Sequence, residues 1–441
     1  PSPRAPAASS STFTFSTADA PSYEPVESVV DDRDSVTPDD PTVLIVEDDP
    51  RFASILLALA HDSGFKGVVT AEGSSVPSLA RRFAPEAILL DVGLPDMDGL
   101  ALLDLLKRTP ETRHIPVQVI SADDRGGLSL SMGALGFTSK PVEQEAVVST
   151  LDRVRRLADH PGRAPILVGG DKTTVELLKS VFGEVRDETD LAALPPEAFT
   201  GEQGCLVAPV VGGAVGATLD LLRQRGAGSG STVLYAPGEL DADDERRLRL
   251  AVFTGAARLA RTGEQLIDHV ALIQHAPVEG LPDAARAMLS RSKHADTVLM
   301  GRTAVVIDDD IRNIFSLASA LEEYGIELRY AESGRAGLEL LDSLPSVDMV
   351  LVDIMMPDMD GYETMREIRS RARFFDLPVV AVTAKAMKGD RQKCIQAGAS
   401  DYVSKPVDLD QLISVLRVSV QRADARKLIG GNIVNLASVA Q

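Results

Sequence analysis

Tryptophan is absent from the 441 residues, and aromatic residues of all kinds make up only 4%. Cysteine is nearly absent too. Cys205 and Cys394 stand far apart, so no framework of bridges is available and a reducing cytosol is the natural compartment. No apolar run reaches about 18 residues, which excludes a transmembrane helix. No signal-peptide pattern opens the chain. Positive charge is scarce, with 45 basic against 65 acidic residues and a formal charge of -20. Such a chain is a poor default partner for nucleic acid or an anionic membrane. The glycine-rich stretches Gly212-Gly213 and Gly226 to Gly230 lack the Gly-Lys-Ser/Thr ending of a phosphate loop and read as turns.

An apolar content of 44% is enough for ordinary cores, and the length corresponds to about three domains. Several apolar strands end on residues that carry chemistry. Met349 to Val352 runs into Asp353, with Pro357 and Gly361 beyond it, where a chain leaves a strand and begins a helix. Thr303 to Ile307 ends on Asp308-Asp309-Asp310. Val379 to Val382 ends on Thr383-Ala384, and a fourth strand leads to Ser404-Lys405-Pro406. An aspartate on the C-terminal lip of a buried parallel strand lies where α/β proteins place their chemistry.

The same set recurs near the start as Glu47-Asp48-Asp49, Asp91, Ser121-Ala122 and Lys140-Pro141. Asp353 to Thr383 and Asp91 to Ser121 are both 30 residues, which marks an internal repeat of one fold. Between the copies, Pro165 to Val168, Gly204 to Val207 and Thr232 to Tyr235 keep the βαβ rhythm without the acids. Gly169-Gly170-Asp171 replaces the acid cluster, Ala208-Pro209 stands at the acceptor, Ala236 stands near the hydroxyl, and no Lys-Pro pair appears.

This constellation resembles the receiver domain of two-component response regulators. The resemblance covers residues 302–420 most fully, through four motifs in order, and residues 41–160 in matching parts. It implies an α/β chain of three tandem flavodoxin-like (βα)5 domains, each a parallel five-stranded sheet in the order 2-1-3-4-5, the middle one degenerate. The expected layout is a linker over 1–40, receivers over 41–160 and 302–422, the degenerate unit over 161–280, a linking helix over 281–301 and a tail over 423–441.

Three crowded carboxylates repel one another and call for a cation, and a hard divalent ion with oxygen ligands, Mg²⁺, fits. The resemblance implies that Asp309, Asp353 and the backbone carbonyl of Met355 bind it directly, with Asp308 acting through water. Asp353 would be the phosphoacceptor, giving an acyl phosphate. Thr383 and Lys405 would hold the phosphoryl oxygens, and Tyr402 matches the family's switch aromatic. In the first copy the parts are Glu47, Asp48, Asp91, the carbonyl of Gly93, Ser121 and Lys140. There Phe137 replaces the tyrosine, and the segment 123–136 is three residues shorter than its counterpart, so its fourth helix is expected to be short or absent.

The histidines His61, His114, His160, His269, His275 and His294 lie outside any kinase phosphoacceptor context, and no kinase nucleotide boxes or basic recognition helix are visible. Asp308 to Phe315 and Thr383 to Asp390 most resemble the C-terminal receiver of hybrid sensor histidine kinases. The expected partners are therefore a histidine kinase core, in the same or another chain, and a histidine phosphotransfer protein. The receivers would catalyse their own aspartyl phosphorylation. Two rival readings are a regulatory scaffold whose middle domain binds a partner or small ligand, and a free-standing multi-receiver regulator. The chain opens on Pro1 rather than Met, and Ser10 to Ser16 resembles the closing strand of a kinase ATPase domain; a linker is the alternative.

Overall fold

The computed structural model describes residues 29–122, 126–159, 163–201, 203–228, 230–294, 298–384 and 390–438. The stretch Ser10 to Ser16 lies outside them. Three five-stranded parallel sheets follow one another along the chain. In the first unit the strands are β1 (Thr42–Val46), β2 (Lys66–Thr70), β3 (Ala87–Asp91), β4 (Val117–Ser121) and β5 (Gly136–Ser139). Its helices are α1 (Pro50–Asp62), α2 (Val76–Phe83), α3 (Gly99–Arg108), α4 (Gly126–Met132) and α5 (Gln144–Asp159). The sheet order β2-β1-β3-β4-β5 is the expected 2-1-3-4-5. The fourth helix spans seven residues, the same length as its counterpart Asp390–Gln396 in the last unit, so among the described residues the shorter segment does not give a shorter helix.

The middle unit has β6 (Ile166–Val168), β7 (Arg186–Glu188), β8 (Leu206–Pro209), β9 (Thr232–Tyr235) and β10 (Arg258–Ala260), again in the order 2-1-3-4-5. Its helices are α6 (Lys172–Phe182), α7 (Val215–Gln224), α8 (Ala242–Phe253) and α9 (Gly263–Ile273). The crossover from β7 to β8 carries two 3-10 turns in place of an α-helix. Pro195-Pro196 explains this, because proline inside a helix removes a donor and clashes with the preceding turn. Then α10 (Asp283–His294) packs back on α9, with Ala285 and Leu289 in the middle unit's core.

The last unit repeats the first. Its strands are β11 (Thr303–Ile307), β12 (Glu327–Ala331), β13 (Met349–Asp353), β14 (Val379–Thr383) and β15 (Asp401–Ser404). The helices are α11 (Ile311–Glu322), α12 (Gly334–Ser343), α13 (Gly361–Ser370), α14 (Asp390–Gln396) and α15 (Leu409–Ser438). The central strands are buried end to end because helices cover both faces of the sheet, so they read as unbroken apolar runs rather than alternating ones.

Two stretches differ from expectation. Residues 29–40 do not simply tether. Asp31 accepts from Val69 N, Asp32 exchanges hydrogen bonds with Gly67, and Arg33 donates to Val69 O, which straps this acidic run across edge strand β2. The carboxylates satisfy amides that an edge strand otherwise leaves open. At the other end, α15 continues past Val420 to Ser438. Ion pairs with distant residues anchor it just past Val420: Arg422 grips Asp98, and Asp424 pairs with Arg302.

The first and last units share one apolar core. Leu100, Leu103 and Leu106 of α3 belong to the same buried cluster as Leu412, Leu416 and Val420 of α15. The seam between the first and middle units is different in kind. Lys107 is buried and donates to the carbonyls of Arg113 and Ile115 at 3.2 and 2.5 Å. Arg113 pairs with Asp268 at 2.5 Å, and Arg258 donates to Leu130 O. Burial, reinforced by the nearby Arg258 charge, pushes the His269 imidazole down to about 4. The fold therefore holds His269 neutral, and the unfolded chain takes up a proton first as pH falls. The associated stability is fully present above about 6.5 and is lost as pH drops toward 4, amounting to about 3 kcal/mol. Melting curves at pH 7.5 and pH 5 should show a smaller acid-induced drop in Tm for His269→Leu than for the wild-type chain. Equal drops would remove His269 from the account.

Candidate functional site

Strand β13 delivers Asp353 to the C-terminal edge of the last sheet, and its neighbour β11 ends just before Asp308. The three acids after β11 divide their labour. Asp310 caps α11 by accepting from Arg312 N at 3.0 Å, and its hydrogen bonds with Arg312 hold its carboxyl down to about 2. Asp308 and Asp309 turn toward Asp353, and carboxylate oxygens of all three lie within 4.8 Å of one another. Asp308 and Asp353 are buried, at 2% and 5% exposure, while Asp309 faces solvent.

Lys405, just past β15, reaches both buried acids. Its Nζ lies 2.9 Å from Asp308 Oδ2 and 3.0 Å from Asp353 Oδ2. Burial alone would lower the ammonium's pKa, but hydrogen bonds to Asp308 and Asp353 overcome that and raise it. Asn313 adds Nδ2 at 3.1 Å from each Asp308 oxygen. Sequence reasoning missed Asn313, although its place in the first turn of α11 faces it toward the strand end. Asp353 Oδ1 is buried with no hydrogen-bond partner among the described residues. Thr383 closes β14, 2% exposed, in register with Ser404. The Met355 side chain is exposed.

The first unit assembles the same figure. Oxygens of Glu47, Asp48 and Asp91 gather within 4.8 Å. Lys140 Nζ stands 2.9 Å from Glu47 Oε2 and 3.1 Å from Asp91 Oδ2. Burial pushes Glu47 up to about 6 against the opposing pull of Lys140. Burial, then the Asp91 charge, raises Asp48. Lys140 also lies 4.8 Å above the Phe52 ring, a cation–π contact absent from the sequence reading. Ser121 closes β4, and Phe137 on β5 packs beside Gly126 of α4.

In the middle unit the register settles what replaced the acceptor. Pro209 pairs with Tyr235 as Asp353 pairs with Val382, so Pro209 stands at the acceptor position and Ala236 at the hydroxyl. Asp171 is spent as the cap of α6, accepting from Thr174 N at 2.7 Å. Arg261 occupies the adjacent strand end, bound to Glu245 and Ala236 O rather than to paired acids. At the glycine pair, Gly213 N donates to the Asp244 carboxylate at 2.8 Å, an acceptor already seated where a phosphate would need to bind.

Two such sites, each with buried acids bridged by one lysine at the sheet's C-terminal edge, agree with the sequence comparison. The response regulator receiver domain matches residues 43–152 and again 304–417. The chain belongs to the response regulator receiver domain family. Among its relatives, the sensor histidine kinase CheAY of Helicobacter pylori is 37% identical over 120 residues, which is 26% of this chain and 15% of that one. The signal transduction histidine-protein kinase BarA of Escherichia coli is 34% identical over 121 residues, 27% of this chain and 13% of that one. The hybrid signal transduction histidine kinase L of Dictyostelium discoideum is 34% identical over 137 residues, 30% of this chain and 8% of that one. The matched stretch is thus a small part of each of these kinases. Among solved structures, the Francisella response regulator 1452 receiver domain is 26% identical, with 28% of this chain and 98% of that one covered and a TM-score of 0.26. No described helix of these receivers is long and apolar enough to cross a membrane.

Proposed function

We propose that this chain is the receiver portion of a hybrid histidine kinase phosphorelay, with Asp353 as its principal phosphoacceptor and Asp91 as a second. The observation that carries this reading is the Asp353 carboxylate. One oxygen is held by Lys405, and the other is buried and unpartnered, beside two further acids. A nucleophile held in this way is ready for in-line attack on a phosphohistidine. The Asp353 oxygen–phosphorus bond forms as the nitrogen–phosphorus bond breaks, and the imidazole nitrogen keeps the electron pair. Asp309, Asp353 and the Met355 carbonyl would hold Mg²⁺ directly, with Asp308 behind, and in the first receiver Glu47, Asp48, Asp91 and the Gly93 carbonyl. The donor set is all oxygen, carboxylates with one neutral carbonyl, which suits this ion, and when bound it would neutralise phosphoryl charge. Lys405 and Thr383 would receive the phosphoryl oxygens.

Surface chemistry favours the last receiver as the relay. Around its acceptor, Ile311, Phe315 and Met355 are exposed, Phe315 to 62% and Met355 to 57%. Counted from the caps Asp49 and Asp310 and from the two acceptors, the first receiver has Pro50, Ser54 and Gly93 at those positions. An apolar collar around one acceptor suits a helical phosphotransfer protein or kinase helix, and the three matching positions of the first receiver carry no large side chain of this kind, although Ile55 of α1 is exposed.

Intact-mass analysis after incubation with a small acyl phosphate tests the reading. The wild-type chain should gain phosphate with Mg²⁺ and none with a chelator. Asp353→Ala should remove the main label and Asp91→Ala a lesser one. A folded wild-type chain that gains no phosphate, or a double variant that still gains it, would sink the proposal.

A further inference from the structure

Part of the β15–α15 face of the last receiver is covered by the first receiver. Tyr402 of β15 has its ring in the last receiver's core, yet its hydroxyl donates to the backbone carbonyl of Asp96 at 2.9 Å. Arg422 of α15 makes two 2.8 Å hydrogen bonds to Asp98, and Arg417 reaches Asp104 at 3.1 Å. Asp96 and Asp98 lie in the short loop that leads from the acceptor Asp91, past Gly93, into α3. Asp98 also caps α3, accepting from Leu100 N at 2.8 Å. One receiver's switch tyrosine therefore holds the other receiver's acceptor loop.

The chain carries its own control for this contact. The pentapeptide Pro-Asp-Met-Asp-Gly occurs twice, at 95–99 and 357–361. In the last receiver Asp358 is exposed and left-handed, with φ 63°. In the first receiver Asp96, gripped by Tyr402, is not among the residues with positive φ. Its carboxylate instead accepts from Gly73 N and Ser74 N, both at 2.9 Å. The same five residues thus hold two backbone states, one docked and one free. The pentapeptide can thus adopt either backbone conformation, and the contacts made by its neighbours differ between the two.

We propose that the last receiver controls the first through this loop: phosphate on Asp353 withdraws Tyr402 from Asp96 and releases the loop toward the free state seen at Asp358. The regulation rests on the phosphoacceptor reading above. A phosphoryl group adds nearly two negative charges beside Lys405 and Thr383. Strand alternation and register put Tyr402 on the same face as Thr383, across from the small Ala381. Drawing Thr383 toward the phosphoryl opens space over Ala381, and the tyrosine ring can move into it only by giving up the Asp96 carbonyl. The loop it releases carries Gly93, so the reactivity of Asp91 changes with it.

Hydrogen–deuterium exchange on the full chain tests the coupling. In an Asp91→Asn background, intact mass reports phosphate on Asp353 while exchange is read over residues 92–108. Phosphorylation should raise exchange there severalfold. Tyr402→Phe, and separately Arg422→Gln, should show raised exchange without any donor and little further response. Phosphate on Asp353 with unchanged exchange over 92–108 overturns the coupling and leaves the acceptor reading standing. No phosphate on a folded chain overturns both.

Discussion

Lys405→Ala is expected to abolish useful phosphate uptake at Asp353 and to make the last receiver's stability depend on Mg²⁺. Lys405 bridges Asp308 and Asp353, which have side-chain exposures of 2% and 6%. Losing one partner of a fully buried pair costs about 3–5 kcal/mol. The lysine side chain keeps 22% of its surface in solvent, so a loss of about 2 kcal/mol is the reasonable figure here. The chemical loss is larger. Removing a preorganised charge from developing phosphoryl oxygens lowers rates by about 10²–10³. The variant also has one more uncompensated negative charge, so added Mg²⁺ should restore much of the lost Tm without restoring phosphorylation. Thermal melts with and without Mg²⁺, alongside rates from intact mass, separate these effects. A variant that labels at the wild-type rate would show that Lys405 has no part in the chemistry.

Gly361→Ala should be the most damaging single-methyl substitution near the last site. A Cβ there would sit 2.3 Å from the Asp353 carbonyl oxygen and 2.7 Å from Ile354 Cα. Both are backbone atoms of the acceptor strand, so neither can swing aside. The chain must shift α13 or distort the strand end, at about 3 kcal/mol or more. Gly280→Ala is the control, because nothing lies within 4 Å of the added atom. Urea midpoints should fall sharply for the first variant and barely for the second. Gly99, with Asp91 O at 2.5 Å, predicts the same effect in the first receiver.

The sites were readable in sequence because their geometry is local to strand ends. An apolar run that stops on aspartate fixes which end of the sheet the carboxylate occupies, and the repeated 30-residue spacing fixes its neighbour's hydroxyl. The sheet order followed from the same repeat. The middle unit's losses were also readable, since Pro209 and Ala236 hold the positions assigned to them. What escaped was everything between units. Arg417 and Arg422 look like solvated charges on a helix, and nothing nearby in sequence names Asp104 or Asp98 as their partners. One signal was available. Helix α13 reads Gly-Tyr-Glu-Thr-Met-Arg-Glu-Ile-Arg-Ser, amphipathic and half wet, whereas its counterpart α3 reads Gly-Leu-Ala-Leu-Leu-Asp-Leu-Leu-Lys-Arg and is buried nearly all round. A helix apolar on every side must be covered on every side. The strap over β2 was missed for a similar reason, because acidic residues in a Ser/Pro-rich lead-in carry no sign of the edge amides they meet.

The shared core of α3 and α15 has a mechanical consequence. The first and last receivers are joined directly, although the whole middle unit separates them in the chain. Tension applied between the two outer units therefore runs through their seam, and the middle unit, packed against the first, sits beside the load path. It bears no force until the seam parts. A pull along the chain would be felt first where Tyr402 and Arg422 hold the acceptor loop, and last in the unit that has lost its own acceptor.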